Sequence, residues 1–180
     1  MNKHKIKIAV SSCLLGEAVR YDGTDKHVKY LTTELAAQYN LISLCPEMAI
    51  GMGVPRAPIH RVMKNGKIQV TGIDNPAKDV TQPLLNYAHD VVQQYSDICG
   101  YIFKKDSPSC GTKNVKLMNQ QGEYERKGPG LYAAAIMAAL PALPVIDEED
   151  FMDKKIRDVF LSGVVLYAEK QLLKKISLSS

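Results

Sequence analysis

Apolar and polar residues change rhythm several times along this chain, and the changes mark its elements. Short apolar runs rich in β-branched residues at 6–12, 41–44, 101–103 and 145–146 read as strands. Between them, apolar positions recur at helical spacing. Val28, Leu31, Leu35 and Ala36 predict a helix over 25–38, with Asp25 as its cap. Val80, Leu84, Leu85, Ala88, Val91 and Val92 form the apolar face of a helix over 78–95, whose regular part begins near Pro83. Gly128-Pro129-Gly130 opens a strongly apolar helix over 131–140, closed by Pro141. The amphipathic pattern of 149–175 predicts a last helix with a break near Ser162-Gly163. Asn65-Gly66 joins 59–63 to 67–71 as a β-hairpin. Residues 115–118 and 122–125 read as a smaller hairpin or an irregular excursion. Gly51, Gly53, Pro55 and Pro58 make 48–58 a loop of specified backbone geometry.

Strands that alternate with helices predict an α/β fold, a Rossmann-like three-layer domain with a mainly parallel sheet. Residues 1–180 form one domain on this reading, long enough to bury a core. Open parallel sheets bind ligands at the carboxyl ends of their strands. Cys13, Cys45 and Cys110 each lie just past such an end, so the topology brings three cysteine loops to one rim. Cys99 precedes its strand and is expected at the opposite edge, in a structural role.

Composition narrows the partners. The chain is 46% hydrophobic and 23% charged, ordinary for a globular protein, and its net charge of +4 is too small to imply a nucleic-acid polymer. It suits an anionic small molecule. No apolar run reaches the length of a membrane span. The basic stretch Met1-Asn2-Lys3-His4-Lys5 is followed by an apolar run too short, and too interrupted by Lys7, for a signal peptide. The chain therefore reads as cytoplasmic. Four cysteines in that reducing compartment point to metal, catalysis or packing rather than disulfides.

The stretch Lys104-Lys105-Asp106-Ser107-Pro108-Ser109-Cys110-Gly111 sets two cations before a sulfur and two hydroxyls around a proline, a setting that favours thiolate. Four readings of the three cysteines follow. They are small packing residues in turns. Or they form a structural zinc site with His27, His60 or His89 as fourth ligand, although no CxxC pair is present. Or one is a nucleophile and another resolves it. Or three of them hold an iron–sulfur cluster and leave one iron open as a Lewis acid. Spacing alone does not separate the last two.

Several separated motifs, in order, resemble the bacterial family that contains the thiouracil desulfidases. They are Ser11-Ser12-Cys13-Leu14-Leu15-Gly16, Val19-Arg20-Tyr21-Asp22-Gly23, Cys45-Pro46-Glu47 with Pro55-Arg56, Ser107-Pro108-Ser109-Cys110-Gly111 and Gly128-Pro129-Gly130-Leu131. The resemblance runs from about residue 6 to residue 160. It implies a 4Fe-4S cluster held by Cys13, Cys45 and Cys110, with the fourth iron open to the sulfur of a thiolated pyrimidine. The implied reaction is hydrolytic and non-redox: thiouracil or 4-thiouridine monophosphate gives the oxo-base and sulfide. It also implies a cluster supplied by iron–sulfur assembly machinery. The acid–base residues carried over are Glu47 and either Ser107 or Ser109. A carboxylate in a Cys-Pro-Glu turn can act as a base, and a serine hydroxyl can donate or accept. Ser109 reads equally well as a turn-forming hydroxyl, which favours Ser107.

Arg20, Tyr21, Arg56 and Lys105 are the polar residues of the same expected rim, with charge-assisted donors suited to a nucleotide phosphate. The amides after Gly130, at a helix N-terminus, would also receive an anion. Asp153 and Arg157 are expected to form a surface ion pair. Two other functions are compatible with the residues. One is a non-catalytic metal- or cluster-binding, sensing domain, docking a partner through 48–52. The other is a thiol-based sulfur carrier.

Overall fold

The computed structural model describes residues 5–178; the basic residues before Lys5, weighed above against a signal peptide, lie outside that range. The strands in chain order are β1 (Lys7–Ser11), β2 (Asn40–Leu44), β3 (Ile59–Lys64), β4 (Lys67–Gly72), β5 (Ile98–Phe103), β6 (Lys116–Met118), β7 (Tyr124–Arg126) and β8 (Val145–Asp147). The α-helices are α1 (Ala36–Gln38), α2 (Pro46–Ala49), α3 (Thr81–Gln94), α4 (Leu131–Ala139), α5 (Glu148–Met152) and α6 (Lys154–Leu178). The fold is α/β with two four-stranded sheets. One runs β2-β1-β5-β8 and every pairing in it is parallel. The other, β4-β3-β6-β7, is mixed: two antiparallel pairings flank a parallel one between β3 and β6.

The parallel sheet is buried on both faces, which is why β1 and β5 read as nearly continuous apolar runs. Ile8, Val10, Ile102 and Ile146 pack on one face with Leu31, Leu35, Phe160 and Val164. Ala9, Tyr101 and Phe103 pack on the other with Ala88 and Val91 of α3 and Tyr132 and Ile136 of α4. Gly100 lets α6 approach β5 closely, since a Cβ there would stand 2.6 Å from Val164 Cγ2. A smaller core of Ile59, Val70, Val80 and Leu84 joins the mixed sheet to α3. Among the described residues, no helix is long and apolar enough to cross a membrane.

Several expectations need correction. The predicted helix over 25–38 is helical only from residue 29, and Leu31–Leu35 is a π-helical turn. Asp25 does not cap it; its carboxylate accepts the His27 amide in a local turn. Residues 46–49 form α2, which takes in the first two residues of the loop predicted over 48–58, with Pro46 at its first position, where a missing N–H costs nothing. Cys99 lies within β5, not before it, although still at the amino end. The last helix does not break at Ser162-Gly163. It breaks at Asp153, whose side chain accepts the amides of Lys155 and Ile156 and caps α6. Asp153 is therefore occupied as a cap. Arg157 instead donates to the carbonyls of Phe151 and Met152 and lies 4.6 Å over the Tyr30 ring.

The hairpins at 59–72 and 116–126 were legible as separate units, but not their union. The parallel β3–β6 pairing joins them through Arg61↔Leu117 and Val62↔Met118. Arg61 is 1% exposed and donates from Nη1 to the carbonyl oxygens of Val115 (3.1 Å) and Lys127 (2.8 Å). It thus clamps the mixed sheet to the segment that leads into α4.

Candidate active site

Three strand ends of the parallel sheet build one cavity. The turn after β1 presents Cys13, the end of β2 presents Cys45, and the loop after β5 presents Cys110. All three line a single cavity of about 380 Å³, a size typical of small-molecule sites. All four cysteines are free thiols. Among the described residues, no three His, Cys, Asp or Glu side chains stand close enough to hold a single metal ion. The sulfurs are nevertheless within electrostatic reach of one another, since a charge on one disfavours a charge on the next. A four-iron cube spreads its ligand sulfurs further apart than one ion does, so the donor chemistry and the spacing fit a cluster better than a mononuclear site. The histidines weighed as zinc ligands do not line the cavity. His27 meets Thr32, His60 meets the Tyr124 hydroxyl, and His89 is exposed on α3.

The expected thiolate setting of Cys110 is not what burial gives. Desolvation pushes its thiol well above the ordinary range, and the charges of Cys45 and Glu47 add to this. Burial likewise raises Cys13 to about 11, with Cys45 adding and Lys104 opposing. Burial also raises Cys45, opposed by the amides of Met48 and Glu47 at the start of α2. Buried thiols that resist ionisation alone are groups a metal can deprotonate and hold.

Glu47 is set beside the sulfurs by α2. Arg56 Nε donates to its Oε2 at 2.9 Å and Arg56 Nη2 stands 2.8 Å from the same oxygen. Ser109 Oγ donates to Oε1 at 3.0 Å. Arg56 Nη1 donates to the carbonyls of Val19 and Gly53 and to the Met48 sulfur. The arginine expected on the rim as a phosphate ligand is thus the partner of the carboxylate.

The two serines of the Ser-Pro-Ser turn divide their work. Ser109 is fully buried behind Glu47. Ser107 lines the cavity, and its Oγ accepts the amides of Ser109 (3.2 Å) and Cys110 (3.0 Å). Those bonds fix the turn through the Ser107 oxygen and use no hydroxyl proton.

Arg20, Tyr21 and Lys105 line the cavity as expected. Arg20 Nε is buried with no hydrogen-bond partner, 3.6 Å from Asp22. The Lys105 ammonium pairs with Glu149, away from the sulfurs. Gly130 is placed differently. Its amide donates to the Gly111 carbonyl at 2.7 Å, and the following amides of α4 bond the carbonyls of Pro108 and Ser109. The helix N-terminus expected to receive an anion instead receives the cysteine loop. A Cβ at Gly130 would stand 2.6 Å from the Ser109 carbonyl carbon, which explains the glycine.

Lys26 also lines the cavity and was not singled out in the sequence; Lys104, one of the two cations noted before Cys110, lines it as well. Lys104 is held by Glu148 and by the Lys105 carbonyl, and its charge reaches Cys13. Strand alternation carried the signal: from Ile102, Lys104 continues on the face of β5 that looks toward Cys13, and Lys105 does not. Tyr101 and Tyr132, hydroxyls 3.1 Å apart, back the cavity on the core side of Cys110.

The fold and the pocket define an α/β protein with a three-thiol, cation-lined cavity at the carboxyl edge of a parallel sheet. A family model described as 2-thiouracil desulfurase matches residues 8–148. This chain belongs to the 2-thiouracil desulfurase family. Among solved structures it is similar to a [4Fe-4S]-dependent thiouracil desulfidase, TudS, at 29% identity and a TM-score of 0.65. The match covers 85% of this chain and 97% of the other. Comparison with curated protein sequences gives no match.

Proposed function

We propose that this chain removes sulfur from a thiolated pyrimidine with water, using a 4Fe-4S cluster held by Cys13, Cys45 and Cys110. One observation carries the reading: three cysteines, Cys13 and Cys110 buried and Cys45 half-buried, share one cavity with an oriented carboxylate. Family membership and the [4Fe-4S]-dependent relative support it. When bound, the cluster supplies an iron with an open position, a Lewis acid toward the substrate sulfur.

The chain's own residues supply the rest. Glu47, locked by Arg56 and Ser109, takes a proton from the attacking water. The Ser107 hydroxyl donates toward the ring nitrogen as the carbon–sulfur bond gives way. The balance is one water consumed, one carbonyl oxygen gained and one sulfide released. Arg20, Lys26 and Lys104 give the cavity positive charge, which suits an anionic substrate or the departing sulfide, and Tyr21 offers an aromatic wall. A nucleoside monophosphate such as 4-thiouridine monophosphate fits this charge better than the free base. Helices on both faces of the parallel sheet, with the cavity at its strand ends, support a Rossmann-like reading of the larger half. Free thiols support a cytoplasmic setting, with assembly machinery delivering the cluster.

Anaerobic reconstitution tests the reading. The protein should take up four irons and four sulfides and release sulfide from thiouracil or 4-thiouridine monophosphate. A protein that binds the cluster yet releases none from either compound would be a cluster-binding domain instead. Sulfide release with no iron bound would make it a thiol-based sulfur carrier.

A further inference from the structure

The long helix α6 is apolar on two sides. Phe160 and Val164 face the parallel sheet and are buried. On the other side Val159, Leu166 and Leu173 follow one another at intervals of seven residues, and they are 73%, 57% and 65% exposed. Single exposed apolar side chains are ordinary on a surface. A heptad series on the outer face of one helix is not, because that spacing sets side chains in a line that a second helix covers. Ile156 on one flank, with Val165 and Leu172 on the other, is exposed too and widens the line.

The series is its own complement. Leu166 is the midpoint of the 25-residue helix, with Val159 seven residues before it and Leu173 seven after. Two copies of α6 laid antiparallel about a two-fold axis at Leu166 bring Leu166 to Leu166 and Val159 to Leu173. The charges agree with this direction. Asp158 lies eight residues before the midpoint and Lys174 eight after, so each Asp158 meets the Lys174 of the other copy. Asp158 also pairs with Lys154 of its own helix at 2.7 Å, on the open surface, and a carboxylate accepts from both. A parallel arrangement would set Lys155, Lys170 and Lys174 each level with its own copy, and like charges so placed repel.

The area is also sufficient. A helix of this length runs about 37 Å and is about 10 Å across, so two facing strips bury on the order of 800 Å² before the flanking lysine stems are counted. With those stems the pair reaches the roughly 1,000 Å² that a specific interface needs.

We propose that the outer face of α6 is the contact surface of a homodimer, two copies of this chain joined antiparallel about Leu166. The contact is isologous and closes after two chains. None of its residues lines the cavity, so each copy keeps a complete site.

Sedimentation equilibrium of the full chain tests this. The wild type should pass from one to two chain masses as its concentration rises, with a Kd on the order of micromolar, the weak end for such interfaces. Leu166→Glu sets two carboxylates against each other on the axis and should weaken association by about thirtyfold or more, the loss expected at a central interface residue. Its circular dichroism and its sulfide release per chain should match the wild type. Leu166→Ala, which adds no charge, should weaken association in the same direction and serves if the charged variant does not fold. Asp158→Lys should weaken it as well, and Asp158→Lys combined with Lys174→Asp should restore it. A chain that stays monomeric into the high micromolar range would overturn the proposal, and co-sedimentation of that monomer with anionic vesicles would give the strip to a lipid surface instead. A dimer untouched by Leu166→Glu and Leu166→Ala would also overturn it, by placing the contact elsewhere. A double charge exchange that restores nothing would overturn the antiparallel pairing.

Discussion

In the parallel sheet, β1, β2 and β5 lead at their carboxyl ends into turns that carry Cys13, Cys45 and Cys110, and the α2 turn adds Glu47. In the mixed sheet, β3, β6 and β7 carry no cysteine, and the buried charge of β3, Arg61, is spent on two backbone carbonyls. That bond is not idle. Val115 and Lys127 sit at the two ends of the β6–β7 excursion, and Gly130 just beyond it docks on Gly111. One sheet supplies the reacting groups, and the other holds the loop that carries one of them. The difference teaches that a site at a strand edge needs two kinds of residue, and only the first kind looks like chemistry in a sequence.

The sharpest way to break the comparison is at the parallel edge. Cys45→Ala should abolish cluster uptake and sulfide release together, read as iron content and product. If either survived, Cys45 would not be a ligand. Within the same edge, Glu47→Gln should keep the iron and slow turnover by about a hundredfold to ten-thousandfold, the usual contribution of a general base. Ser107→Ala should also slow the chemical step. Ser109→Ala should act more weakly and through Glu47. Losing that hydroxyl leaves Arg56 as the group that holds the carboxylate, so kcat should fall while iron content stays. A larger loss of kcat in Ser109→Ala than in Ser107→Ala would exchange the two roles.

At the mixed sheet the expected effect is on stability. Arg61→Met removes the donor to two carbonyls and leaves them in a buried site, which costs about 2–4 kcal/mol. Thermal unfolding should show it, with iron content per folded molecule little changed. A loss of cluster with no loss of stability would make Arg61 part of the site itself.

The metal-free protein offers a pH measurement. Cys13 titrates near 11 in the folded chain and near 9 when unfolded. Above pH 9 the unfolded state therefore sheds this proton first and binds fewer protons than the native state, so stability falls as pH rises from about 9 to about 11. Cys13→Ala should flatten that decline. An unchanged slope would show that the thiol is less buried than its position implies.

How much of this was legible follows from the same division. The strands of the parallel sheet were readable because they are buried on both faces and rich in β-branched residues, and the cysteines because each follows one. Arg56, Ser109 and Gly130 were picked out as site residues, but their roles depend on contacts made across loops. The distance from Arg56 to Glu47 is set by a chain reversal over 48–58, and no local pattern specifies it. Lys104 was noted as a cation before Cys110, but its place beside Cys13 depends on a one-residue parity that only the true end of β5 resolves. The break at Asp153 was missed because a capping aspartate looks like any surface acid until the amides of Lys155 and Ile156 are seen to meet it.

The smallest effect belongs to the fourth cysteine. Cys99 lies in β5, the strand that leads into the Cys110 loop, but at the amino end of the sheet, 6% exposed, with its thiol on the Asp97 carbonyl at 3.4 Å. Its sulfur packs in the core that includes Val164 and Phe160. Burial raises its pKa, as it does for the other three, so ionisation alone does not distinguish it. Position does: β5 carries one cysteine near its amino end and leads to another in the loop beyond its carboxyl end, for different reasons. Cys99→Ala removes one buried sulfur and its weak hydrogen bond, a cost of about 1 kcal/mol. The variant should bind the full complement of iron and turn over at the wild-type rate, measured beside Cys45→Ala under the same anaerobic conditions. Loss of iron in Cys99→Ala would mean that sulfur chemistry in this fold is not confined to the carboxyl edge.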